Sequence, residues 1–109
     1  MIKKYLWYAQ TEYDTEEEID ILTDEEVEPP WRVLIHNDDV TPYDFVILVL
    51  VRIFEITPLI AEHITYTAHT KGEAYVASYP KTEAQRRVGR AHFAASVEGF
   101  PLRFTAEPE

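Results

Sequence analysis

Two threonine–proline pairs, Thr41-Pro42 and Thr57-Pro58, most constrain what this chain can fold into. The run between them, Phe45 to Phe54, is so rich in β-branched residues that propensity alone would allow a buried strand. The pairs decide for helix. The Thr41 hydroxyl can cap an orphan amide, Pro42 at the first helical position gives up no hydrogen bond, and Asp44 complements the dipole. Thr57-Pro58 repeats the signal for a second helix running to Thr70, with Gly72 as a left-handed stop.

The flanking segments have different compositions. Trp31 to His36, Ala74 to Tyr79 and Leu102 to Ala106 are short and β-branched or aromatic, which predicts strands. Thr82 to Glu98 reads as a third helix ending at Gly99, with Ala84, Val88, Ala91 and Ala95 at helical spacing as a smooth stripe for close approach to a sheet. Gly89 within it costs roughly 1 kcal/mol against alanine. The expected fold is α+β: a three-stranded antiparallel sheet packed against three helices, in the order β-α-α-β-α-β.

At 109 residues there is room for one core. Residues 1–30 hold two lysines and ten acids, and so carry −8 of the net −10. They read as a flexible acidic extension ending in the stiff Glu28-Pro29-Pro30, with residues 31–109 as the core domain. Ahead of the acidic stretch, Tyr5, Leu6, Trp7 and Tyr8 form a small aromatic cluster. A tail that repels polyanions, on a near-neutral body, argues against nucleic acid or an anionic membrane as partner. The greasy run from Phe45 to Val51 is far too short to span a bilayer, and the first residues lack the apolar core of a signal peptide. The absence of cysteine fits a reducing cytoplasm, the expected location.

The chemistry-bearing stretch is His36-Asn37-Asp38-Asp39-Val40-Thr41-Pro42. A carboxamide and two carboxylates sit there between an apolar strand and a helix start, as a site for a positively charged amine requires. The plainer reading is that Asp38 and Asp39 only precede a helix N-terminus, where anions are favoured. His69, near the end of the second helix, supplies a further acceptor if the two helices pack side by side; a lone helical histidine is more often a satisfied surface or core residue. Neither a metal nor another cofactor is indicated: His36, His63, His69 and His92 show no ligand spacing. No nucleophile elbow, phosphate loop or isolated carboxylate pair points to an enzyme.

Taken together, these residues resemble the ClpS adaptor family, the recognition component of the bacterial N-degron pathway. The likeness covers about residues 29–107. It rests on Pro29-Pro30, on Asn37-Asp38-Asp39-Val40-Thr41-Pro42, on Phe45-Val46, on Ala68-His69 followed by Gly72, and on Pro101-Leu102 with Thr105. The resemblance implies a non-enzymatic adaptor that binds proteins whose first residue is Leu, Phe, Tyr or Trp. It would deliver them to a Clp AAA+ unfoldase, of the ClpA or ClpC type, with its peptidase. Asn37, Asp38 and His69 match the residues that hold the substrate's α-amino group. Asp39 and Thr41 match positions that hold substrate backbone or shape the pocket, and Tyr43, Val46, Thr65, Ala68 and Leu102 match pocket positions. Arg87 falls where the family has a basic contact to the unfoldase, and the acidic extension matches the segment involved in handover.

The chain also departs from the family pattern. Tyr43 and Thr65 stand where methionine is common, which implies an altered preference among first residues, with weaker rejection of Ile or Val. Thr82 replaces an acidic unfoldase contact, with Glu83 one position away. Leu48 and Val51 occupy positions usually polar; they are either a greasier surface or a contact stripe for a second copy, a weak homo-oligomer, or for Tyr5, Leu6, Trp7 and Tyr8. The competing function is a docking module of the same fold that has lost or altered recognition of the first residue. If His69 is an amine acceptor, affinity should weaken as pH falls through about 6.5, where an ordinary histidine gains a proton.

Overall fold

The computed structural model describes residues 28–109. Its elements are β1 (Pro30–His36), α1 (Tyr43–Arg52), α2 (Pro58–Lys71), β2 (Glu73–Pro80), α3 (Lys81–Glu98) and β3 (Arg103–Pro108). This is the β-α-α-β-α-β order expected. β1 lies at the centre of a three-stranded sheet, antiparallel to both neighbours, in the order β2-β1-β3. Alternation along β1 explains its place: Val33 and Ile35 point into the core, while Arg32, Leu34 and His36 take the other face.

A bulge in β2 changes which of its residues face inward. Val33 pairs with Ala77 but Leu34 pairs with Tyr75, so Val76 is an extra residue with no partner in the register. Ala74 and Val76 are buried before the irregularity; after it, Ala77 and Tyr79 pack against the core. A one-residue slip exchanges the two faces of a strand. It brings Tyr79 to the helical side, where its hydroxyl donates to the Phe54 carbonyl at 2.8 Å.

The helix starts differ from expectation in their chemistry. Pro42 is the N-cap of α1, not its first helical residue, and no side chain caps that end. The Thr41 hydroxyl turns back to Asp38 instead. α2 begins with Pro58 at its first position and ends at Gly72, whose φ of 96° is the left-handed stop that glycine adopts without a Cβ clash. α3 is capped from a distance: Glu28 accepts the Thr82 amide at 3.0 Å and the Thr82 hydroxyl at 2.9 Å. Glu28 and Pro30, expected at the end of the extension, are thus tied to α3 and to β2, where Pro30 pairs with Pro80. Residues 1–27, with the rest of that extension and the aromatic cluster at Tyr5, Leu6, Trp7 and Tyr8, lie outside the described residues.

Phe45, Phe54, Phe104, Ile35, Leu50, Val33 and Val49 are the largest fully buried side chains. On α3 the alanine stripe works as its spacing suggests, with Ala84, Ala91, Ala94 and Ala95 buried toward the sheet. Leu48 and Val51 are half-buried and pack against the core. Among the described residues no helix is long and apolar enough to cross a membrane.

Candidate functional site

Three chain segments converge at one end of the helical pair. β1 runs out at His36 into the loop that starts α1, and the Asn37 amide donates to the Gly72 carbonyl at 2.9 Å. That bond stitches the loop to the end of α2. Between the loop, the first turn of α1 and the last turns of α2 lies a cleft of about 340 Å3, counting solvent at its mouth. Its polar side is formed by His36, Asn37, Asp38, Thr41 and His69; Ile35, Tyr43, Val46, Thr65, Ala68 and Leu102 complete the lining.

Asp38 organises the loop. Its Oδ1 accepts the Val40 amide at 2.8 Å and the Thr41 amide at 2.7 Å, and its Oδ2 accepts the Thr41 hydroxyl at 2.9 Å. A carboxylate offers about four lone-pair positions, so roughly one remains for a ligand. The Asn37 carboxamide and the His69 ring make no hydrogen bond to another described residue. The His69 ring is instead set by an edge contact with Tyr43, centroids 5.9 Å apart at 80°. The polar side thus holds unspent acceptors, of which the Asp38 carboxylate is oriented by its own hydrogen bonds.

The floor is apolar in effect as well as composition. Val46, Ala68, Leu102 and Ile35 are all buried. Thr65 is buried too, and its hydroxyl donates to the Ala61 carbonyl at 2.8 Å, so its donor is spent inside α2. Tyr43 stands at the mouth, 42% exposed.

Two residues named from the sequence lie outside the cleft: Asp39, expected at it, and Arg87, expected at a separate docking surface. Asp39 is exposed and does not line the cleft. Arg87 is on α3, its side chain only 12% exposed, with Nε on Glu83 at 2.6 Å and Nη1 on the Ile53 carbonyl at 2.7 Å. A partner-facing role for it rests on resemblance alone. Conversely, Ile35 lines the cleft without having been expected there, and His36, the first residue of the chemistry-bearing stretch, lines it without having been given a role. Their place at the end of β1, next to Asn37, was the available signal; alternation alone puts the two on opposite faces of the strand. His36 Nε2 lies 2.8 Å from Thr105 Oγ1 and Nδ1 lies 3.6 Å from Glu73. Among the described residues no group of three or more His, Asp or Glu could hold a metal.

Comparison with known proteins identifies a family. The family described as ATP-dependent Clp protease adaptor protein ClpS matches residues 26–105. The ATP-dependent Clp protease adapter protein ClpS of Oleidesulfovibrio alaskensis is 41% identical over 95 residues, 85% of this chain and 91% of the relative. That of Deinococcus radiodurans is 43% identical over 79 residues, 72% of this chain and 70% of the relative. Among solved structures, Agrobacterium tumefaciens ClpS2 bound to L-phenylalaninamide is similar with a TM-score of 0.72 and 34% identity, covering 74% of this chain and 98% of that one.

Proposed function

The chain belongs to the ClpS family of Clp protease adaptors, which are non-catalytic, and we propose that its cleft captures proteins by a free α-amino group and a bulky hydrophobic first residue. Captured substrates pass to a Clp AAA+ unfoldase of the ClpA or ClpC type and its peptidase. The activity belongs in the reducing cytoplasm, which a chain without cysteine suits.

One observation carries this reading: unspent acceptors on Asn37, Asp38 and His69 border the same cleft as the apolar floor of Val46, Ala68 and Leu102. An α-ammonium entering a cleft unpaired would cost several kcal/mol, and those acceptors replace its water. Charge-assisted bonds contribute roughly 1.5–3 kcal/mol each. Burying a Leu or Phe side chain adds about 1.5–3 kcal/mol. An internal residue has no ammonium and leaves the acceptors unpaired, so the cleft reads chain end and side chain together. The relative bound to L-phenylalaninamide supports this, because that ligand presents a free amine beside an aromatic side chain.

Tyr43 and Thr65 shape the preference among first residues. Tyr43 is a stiff ring held edge-on by His69, whereas Thr65 is small and its hydroxyl is occupied. The selectivity is therefore altered toward weaker rejection of Ile and Val. Binding of one Leu-initiated peptide, with its amine free and then acetylated, tests the proposal. Acetylation keeps the side chain and removes the charge, so binding is lost. Equal binding of both forms, or of neither, leaves a docking module without amine recognition.

A further inference from the structure

At the end of the helical pair remote from the cleft, a second set of side chains holds the turn between α1 and α2. Past Arg52 the chain reverses through Ile53, Phe54, Glu55 and Ile56. Arg87 Nη1 donates to the Ile53 carbonyl at 2.7 Å, and the Tyr79 hydroxyl donates to the next carbonyl, Phe54, at 2.8 Å. The Arg87 guanidinium lies over the Tyr79 ring, 4.6 Å from its centroid, with Nη2 3.9 Å from Glu55. Its Nε is bonded to Glu83, a buried carboxylate that Arg86 also grips at 2.6 Å. Two successive turn carbonyls are thus fixed from α3 and β2, by side chains stacked on each other.

We propose that Arg87 is a positioning residue for the cleft: by fixing the α1–α2 turn it sets the angle between the two helices, and so the separation of Tyr43 and Val46 from Thr65, Ala68 and His69. The functional part of this inference rests on the amine-capture reading. The leverage is large. From Pro58 to His69 the helix rises roughly 16 Å at 1.5 Å per residue, so a 5° swing about the turn moves His69 by about 1.4 Å. Hydrogen bonds tolerate only about 0.5 Å in length, so such a swing would take His69 out of reach of a shared ammonium. Arginine suits the position because one planar fork must serve a carbonyl, a carboxylate and an aromatic face at once; a lysine ammonium would hold at most part of that set.

The test compares the full-length protein with Arg87→Lys, Arg87→Ala and Tyr79→Phe. Affinity for a free-amine Leu peptide is measured by calorimetry at a temperature where circular dichroism shows each variant folded. Backbone amide shifts of residues 65–69 are recorded by NMR without peptide. Arg87→Ala should weaken binding by between about three- and thirty-fold, with Arg87→Lys intermediate and amide shifts moved at the far end of α2. Arg87→Lys keeps a charge and a donor, so the comparison survives if the alanine variant fails to fold. Lower melting temperatures with unchanged affinity and unmoved amides at 65–69 would make Arg87 merely structural and overturn the inference. If the parent protein ignores the peptide, the amine reading fails, and unmoved or moved amides at 65–69 decide the positioning claim alone.

Discussion

Thr41 is fastened to Asp38 twice: its hydroxyl donates to Oδ2 at 2.9 Å and its amide to Oδ1 at 2.7 Å. The threonine expected to cap α1 instead orients the carboxylate that borders the cleft. Thr41→Val keeps the shape and the amide bond and loses the hydroxyl. Urea unfolding should show a loss of about 1 kcal/mol, and amine affinity should fall a few-fold. Asp38→Asn removes the charge and should weaken amine binding roughly ten- to hundred-fold, the loss of one charge-assisted bond. Equal affinity for the Asn variant would place the ammonium elsewhere.

Glu55, in the turn between α1 and α2, is the one non-glycine residue with a positive φ among the described residues. Its φ of 59° is the left-handed region, unusual for a residue with a Cβ, and lets Ile56 donate to the Leu50 carbonyl at 3.0 Å. Asparagine tolerates this conformation and β-branched residues do not. Glu55→Asn should therefore raise the unfolding free energy by up to about 1 kcal/mol, while Glu55→Val should lower it by about 1–2 kcal/mol. The Glu55–Arg87 pair, 3.9 Å long and with the Glu55 carboxylate exposed to solvent, contributes little against either change. Matching denaturation midpoints for the two variants would contradict this.

His92 links acid pH to the last strand. Its Nε2 accepts the Phe104 amide at 3.0 Å, which requires a free lone pair. Burial, then the nearby Arg103, holds its pKa below the ordinary 6.5. The unfolded chain thus binds more protons than the folded one below pH 6.5, and stability falls from there until the folded histidine itself titrates. His92→Gln keeps an acceptor without titrating. Unfolding curves at pH 7.5 and 5.5 should separate more for the parent than for the variant; an equal separation would show that His92 contributes nothing to the acid response.

At lower pH the Glu28 cap adds a second response. Its bonds to the Thr82 amide, then to the Thr82 hydroxyl, hold its carboxyl below 4.5. This stability is present above pH 4.5 and is lost as pH falls through the lowered folded value. Glu28→Gln should melt earlier than the parent at neutral pH and converge with it in acid. Curves that stay parallel down to pH 3 would contradict the cap.

Local backbone signals were legible in the sequence. Thr57-Pro58, Gly72 and Gly99 mark helix ends where the structure has them, and strand composition located β1, β2 and β3 to within a few residues. Asn37, Asp38, Tyr43, Val46, Thr65, Ala68, His69 and Leu102 were expected around one site and line one cleft. The hidden features are those in which distant side chains choose partners. Glu28 caps a helix 54 residues away, and Arg87, a surface charge by composition, is drawn inward by Glu83 and the Ile53 carbonyl. The extra residue at Val76 that turns Tyr79 inward was equally silent, because an alternating strand reads the same until its partner sets the register.

Calorimetric titration of a free-amine Leu peptide into the full-length protein, Asn37→Ala and His69→Ala tests amine capture most directly. The account predicts measurable binding by the parent, with each substitution weakening it roughly ten-fold or more as one bond to a charged group is lost. Unchanged affinity in His69→Ala and Asn37→Ala would contradict it.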